Sequence, residues 1–396
     1  VKRIPLAVLC FCAAASSLRA DPPALYFYPP PAIFGTYQIA TPATFRADQI
    51  TTQFPEIREM SGVSLLICWN TICPREDQYD FSIIDQALAY WGAKGKKVVL
   101  GVGTVCFPVR NAQGSLDSAT PEWVLSKVST YSEDVRVIPF TPDRAKQRAV
   151  FTLPSYFDPR FVEETRKMVL KLGQRYDGNP ALAMVRIGTG ILGEDNATFD
   201  GLKASIPGWS KSKWLTYCRQ MTDIYEEAFH KSQLEFDEGW VSIAEVYGTP
   251  EEQSAARAFL QYLNARHVFL AFNGLSTEDY PLWETRGSGQ FTPWQKTLIT
   301  DLQNLQQAKA SGCPIGLEAI GPTTGSQMKD LVLVADMVKA LSPDRLILFN
   351  ETAAVLHYQR DHTPGSLDTL LREIPKGRIE SAAGQAAQFL QALGYK

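Results

Sequence analysis

The sequence predicts an α/β fold closed as a (β/α)8 TIM barrel, and three observations predict it. Short apolar runs alternate with amphipathic helical stretches along the chain, at a repeat of about 40 residues, as strand-helix units do. The runs are continuously apolar, which is the pattern of strands covered on both faces in a parallel sheet. The chain is 396 residues long, with no linker or shift in composition to divide it, so one large barrel with insertions suffices. A doubly wound open sheet shares the alternation and stands as the alternative.

Residues 1–20 are read apart from the fold. The basic Val1-Lys2-Arg3, the apolar Ile4 to Ala15 and the small Ala20 before a cut form the layout of a secretory signal peptide. The apolar run is too short for a spanning helix, which needs roughly 20 residues. The expectation is a secreted or periplasmic protein with no stable membrane insertion after signal removal, and a single barrel domain over 21–396.

The Pro-rich Asp21 to Pro31 reads as an extended entry segment, and the first strand is placed near Ile33 to Ile39. Val63 to Trp69 is the second strand, followed by helix Asp80 to Trp91, with Asp80 or Ser82 as N-cap and Gly92 and Gly95 behind it. Lys97 to Val102 is the third strand. A long loop from Gly103 to Phe151 precedes helix Asp158 to Tyr176 and the fourth strand, Leu182 to Gly188. A helix through Trp214 to Phe229 leads to a fifth strand somewhere in Leu234 to Ala244. Helix Pro250 to Ala265 then precedes strand His267 to Phe272, helix Pro293 to Ala310 precedes strand Pro314 to Leu317, and helix Ser326 to Leu341 precedes strand Arg345 to Phe349. Helix Ile379 to Leu393 closes the chain. The loops at Gly103 to Phe151 and Leu275 to Phe291 fall at the C-terminal mouth, where barrels of this class build their sites.

Charge narrows the function. Lys plus Arg number 39 against 42 Asp plus Glu, and no basic run could track a phosphate backbone, so nucleic acid is excluded as a partner. Cys68, Cys73, Cys106, Cys218 and Cys313 show no C-x-x-C pair, and the histidines have no metal spacing, so neither metal nor cofactor is expected. Cys68 and Cys73 could pair in an oxidising compartment, against the plainer reading of buried small hydrophobes.

Polar residues just after each strand sit at the mouth. They are Asn70, Thr104, Glu194, Asn273, Glu318 and the pair Asn350-Glu351. The fifth strand adds Glu235, Asp237, Glu238 and Glu245, whose register the sequence leaves open. Glu194 follows three glycines in Gly188 to Gly193, which let the backbone approach another group closely. Glu318 lies in an apolar surround that would tune its acidity. Two such carboxyls suit cleavage of a glycosidic bond, one acting as proton donor and the other as nucleophile. Arg186, on the fourth strand, is either a buried ion-pair partner or a residue that orients the nucleophile. Trp69, Trp123, Trp209, Trp240 and Trp283 fall in or beside mouth loops, and Trp240 and Trp283 are the candidate sugar platform, although tryptophans also fill cores.

Trp69 to Pro74, Gln78 to Phe81, Asp85, Gly95 to Gly101 and Pro121 to Trp123 resemble the early barrel of clan A glycoside hydrolases, particularly the beta-galactosidase-like and agarase-like members. The resemblance implies an acid/base at the end of strand four and a nucleophile at the end of strand seven, places that Glu194 and Glu318 hold. The clan usually carries Asn directly before the acid/base. Gly193 stands there, which marks a distant member with Gly-Glu at strand four and leaves the sugar 2-hydroxyl to Asn196 or Asn70. A count shifted by one strand would make Glu351 the nucleophile. The expected activity is retaining hydrolysis of an oligo- or polysaccharide, with Asn70, Trp240, Asn273, Trp283 and Glu351 as substrate contacts. The competing reading is a non-catalytic glycan-binding barrel.

Overall fold

A computed structural model describes residues 22–27, 58–105, 109–110, 116–136, 148–191, 193–197, 206–238, 240–275, 293–319, 335, 338–348, 384 and 387–395. In chain order its strands are β1 (Ala24–Phe27), β2 (Met60–Cys68), β3 (Lys97–Gly103), β4 (Val109–Arg110), β5 (Leu116–Asp117), β6 (Thr130–Arg136), β7 (Arg148–Pro154), β8 (Leu182–Arg186), β9 (Gln233–Glu238), β10 (Phe269–Leu275), β11 (Ile315–Ala319) and β12 (Arg345–Leu348). Its helices are α1 (Trp69–Ile72), α2 (Ser82–Ala93), α3 (Glu122–Leu125), α4 (Pro159–Tyr176), α5 (Lys211–Ala228), α6 (Trp240–Tyr247), α7 (Pro250–Ala265) and α8 (Pro293–Ala310). Eight strands close into a barrel in the order β1-β12-β11-β10-β9-β8-β3-β2, and every pairing within it is parallel.

One strand departs from the sequence reading. The first barrel strand is Ala24–Phe27, inside the segment taken for an entry arm, and it closes the ring between β12 and β2. Four apolar residues bounded by prolines are too short to show a period. Ile33 to Ile39, where the strand was expected, lies outside the described residues, as do residues 1–21.

The helices begin where local chemistry starts them. Asp158 caps α4 by accepting from the Arg160 amide at 2.7 Å, and Ser210 caps α5 through the Lys213 amide at 3.2 Å. Thr249 and Glu252 form a reciprocal capping box on α7, with Pro250 in its first turn. The expected fifth-strand region divides in two: strand ends at Glu238, and α6 begins at Trp240. The loop after β3 holds α3 and an antiparallel hairpin of β6 with β7.

Apolar packing lies between the strands and the surrounding helices. The fully buried Trp69 meets Trp123 edge-on at 6.1 Å, and Tyr156 meets Trp214 at 5.2 Å. Trp209 lies on Trp214 at 5.6 Å. Trp69 is therefore core rather than a mouth ring, and the Trp123 indole donates to the Cys73 carbonyl. Cys68, Cys73, Cys218 and Cys313 are buried and in no disulfide, as the reading of small hydrophobes expected, and Cys68 does not bridge to Cys73. No described helix is long and apolar enough to cross a membrane.

Candidate active site

The barrel interior is charged. β9 alternates, and its Glu235 and Asp237 share a face. Glu235 takes bonds from Arg186 on β8 and from Arg345 on β12. Because β9 and β12 are not neighbours in the ring, side chains that meet across that gap must point inward. Arg345, at the foot of β12, lies 4.7 Å over the Phe269 ring and pairs with Glu235. Above Glu235, Arg186 donates through Nη2 to Glu318 Oε2 at 2.6 Å and places Nη1 3.4 Å from Asp237 Oδ2. A cation, an anion, a second cation and further anions thus follow one another toward the mouth. Burial pushes the Glu235 carboxyl up, but the two guanidiniums outweigh it and hold Glu235 below the usual range.

Glu194 is carried over this ladder by the loop after β8. The Thr189 hydroxyl and Gly190 amide both donate to the Glu194 carbonyl, at 2.9 and 2.7 Å, and the Ile191 amide donates to the Asn196 carbonyl at 2.8 Å. A side chain at Gly190 would stand 2.3 Å from that Asn196 oxygen. Gly193 has φ +79°, in the left-handed region that favours glycine. Asp195 fastens the loop from behind: its amide donates to the Asp237 carbonyl, its carboxylate accepts from the Val241 amide and its carbonyl accepts from the Trp214 indole.

These connections bring Glu194, Asp237 and Glu318 together, with carboxylate oxygens within 4.8 Å of one another and all three residues buried. The sequence pair Glu194 and Glu318 is adjacent in space. Glu318 lies within β11, opposite Asn273 of β10, rather than beyond the strand end. Asn196 donates to Glu194 Oε2 at 2.6 Å. Asn70 sits at the end of β2 with its amide bonded to the Ser118 carbonyl, so it secures the loop after β3. The side chains of Trp240 and Asn273, and all of Trp283 and Glu351, lie outside the described residues.

Sequence reasoning missed Arg345 as part of the site and named Asp237 only within a row of fifth-strand acids whose register it left open. The alternation Glu235-Phe236-Asp237 was the available signal. Nothing local pointed to Arg345, whose partner stands 110 residues away. Arg186 is a buried ion-pair partner, of Glu235 and of Glu318. Three carboxylates at this spacing could each offer an oxygen to a divalent cation, and two of them, Asp237 and Glu318, are already paired with Arg186.

Outside the barrel, a second acidic group lies behind β9. Asn304 of α8 donates to Glu238 at 2.6 Å and to Glu245 at 2.8 Å, and Asp301 is buried close by. Burial raises both Glu238 and Asp301 well above the usual carboxyl range.

Residues 44–238 match the Beta-galactosidase family model (glycoside hydrolase family 42). The match holds Arg186, Glu194 and Asp237, and ends before Glu318. No curated protein sequence matches the chain. Among solved structures, it is similar to endo-glycoceramidase II from Rhodococcus sp., at 12% identity over 83% of this chain and 72% of that one, with a TM-score of 0.44. It is similar to xylanase 10B from Thermotoga petrophila RKU-1, at 12% identity over 74% of each chain, with a TM-score of 0.39. It is also similar to the beta-galactosidase of the psychrophilic Marinomonas ef1, at 12% identity over 85% of this chain and 57% of that one, with a TM-score of 0.45.

Proposed function

We propose that this chain is a clan A glycoside hydrolase that cleaves O-glycosidic bonds of an oligo- or polysaccharide with retention, Glu194 serving as acid/base and Glu318 as nucleophile. The spacing of the two carboxyls carries the reading. Their nearest oxygens lie within 4.8 Å, which suits the retaining separation of about 5–5.5 Å and leaves no room for the water that inversion needs at roughly 6.5–9.5 Å.

Each residue's surroundings suit its role. Arg186 is bonded to Glu318 at 2.6 Å, a charge-assisted contact that fixes the orientation of the carboxylate. Glu318 attacks the anomeric carbon as the bond to the leaving oxygen breaks, and Glu194 gives its proton to that oxygen. Glu194 then takes a proton from water, whose oxygen attacks the same carbon and releases Glu318. Asn196 steadies Glu194 by donating to its Oε2. The family match makes β-galactosides the first substrates to try. Residues 1–20 support export as part of the same proposal.

The test is hydrolysis of aryl β-galactosides and β-glucosides by the full chain, with the anomer of the first product read by NMR. Retention that disappears in Glu318→Gln supports the reading. An inverted product, or full activity in Glu318→Gln, overturns it.

A further inference from the structure

The reaction moves one negative charge back and forth between Glu318 and Glu194, and a third carboxyl faces both. Asp237 lies within 4.8 Å of each, is 1% exposed, and neither of its oxygens accepts a hydrogen bond from a described residue. The charged groups that face it are Arg186 from β8, Glu194 from the loop above, Glu318 from β11 and Glu235 from its own strand. Arg186 is the nearest cation, at 3.4 Å, and it is shared with Glu235 and Glu318.

Among the described residues the barrel interior pairs two guanidiniums, Arg186 and Arg345, with four carboxyls. Ionised Asp237 would be a buried anion with no hydrogen bond and with carboxyls around it, and its neighbouring guanidinium is already bonded to Glu235 and Glu318. A proton on Asp237 removes that cost. On the proposed mechanism Glu194 carries one proton, as the acid, and Glu318 carries none.

We infer that Asp237 holds the second proton and is a positioning residue of the reaction, a neutral donor that turns its hydrogen toward whichever of Glu318 and Glu194 is charged. This rests on the roles proposed above. In the resting enzyme the hydrogen faces Glu318. Once Glu318 is esterified and Glu194 has released its proton, the hydrogen faces Glu194, so the charge meets a donor at both stages without a second charge entering the cluster. Burial, partly countered by Arg186 and reinforced by Glu318 and Glu194, raises Asp237 well above its usual range.

Two variants of the full chain and one spectrum test this. Asp237→Asn keeps a neutral donor and should retain kcat within about tenfold, whereas Asp237→Leu should lose about 10–100-fold in kcat with KM little changed. The alkaline limb of kcat/KM in the native enzyme should reflect loss of two protons, and in Asp237→Asn of one. The protonated-carboxyl infrared band of the unliganded protein should weaken in Asp237→Asn. A folded Asp237→Asn as impaired as Asp237→Leu at every pH, or an unchanged infrared band, overturns the inference. If Glu194→Gln and Glu318→Gln hydrolyse normally, the catalytic assignment fails instead, and the infrared comparison still decides whether Asp237 carries a proton.

Discussion

Arg186 Nη2 and Glu318 Oε2 lie 2.6 Å apart, although 132 residues and two intervening barrel strands separate them. The same guanidinium serves Glu235 and Asp237. A lysine offers a single charged point and cannot reach all three. Arg186→Lys should therefore lower kcat/KM by about 10–100-fold. Arg186→Met strands buried carboxylates and should cost about 3–5 kcal/mol in urea unfolding. An active, fully stable Arg186→Met would show that the pairing does neither job.

Glu194 and Glu318 should fail in different ways. Glu194→Gln should lose about 10²–10⁴-fold on substrates with poor leaving groups, and much less where an acidic phenol leaves without needing a proton. Glu318→Gln should be impaired whatever the leaving group. Rates on a series of aryl glycosides check this, and parallel losses in the two variants would refute the division of roles.

The loop that carries Glu194 has no space at Gly190, where a Cβ would meet the Asn196 carbonyl at 2.3 Å and the Glu194 carbonyl at 2.9 Å. Gly190→Ala should shift Glu194 and lower kcat by about 10²-fold, since an error near 1 Å suffices for that. The unfolding midpoint should change little, because the barrel wall is untouched. Paired kinetics and thermal melts separate the two effects.

Glu238 and Asp301 predict a pH dependence of stability. Each is raised in the folded state, chiefly by burial, so between its unfolded and folded values the native protein holds more protons than the unfolded chain. Stability then falls as pH rises through that window, by about 1.4 kcal/mol per pH unit for each group. Asp85, Asp158 and Asp177 are lowered and act oppositely, their contribution being lost as pH falls below about 4. Asp301→Asn should flatten the decline that sets in above about pH 4 in denaturant titrations. An unchanged slope would mean that Asp301 is ionised in the fold.

How much of this was legible depends on how local each cause is. The helices Pro250–Ala265 and Pro293–Ala310 carry their own start signals and were placed to the residue. Strand β1 was passed over because four residues beside prolines show no period, and only pairing with β12 and β2 makes them a strand. Glu194 and Glu318 could be found because each follows an apolar run. Asp237 stood in a row of acids whose register only the barrel determines. Trp69 could be read either as a mouth ring or as core, because a strand end and a buried aromatic contact look alike in one dimension, and its contact with Trp123 decides for core. Arg345 had no nearby cue, its reason for being charged lying on the far side of the ring.

The ladder of charges through the barrel also bears on how the chain comes to be folded. Its rungs join β8, β9, β11 and β12, so Glu235 waits for a partner that the ribosome supplies more than a hundred residues later. A half-made barrel would hold buried carboxylates with nothing to answer them, and staying open to water costs less than closing on such a deficit. The Glu235 pairings are complete only when β8, β9 and β12 all stand in the ring, so their contribution belongs to the closed barrel and to no fragment of it.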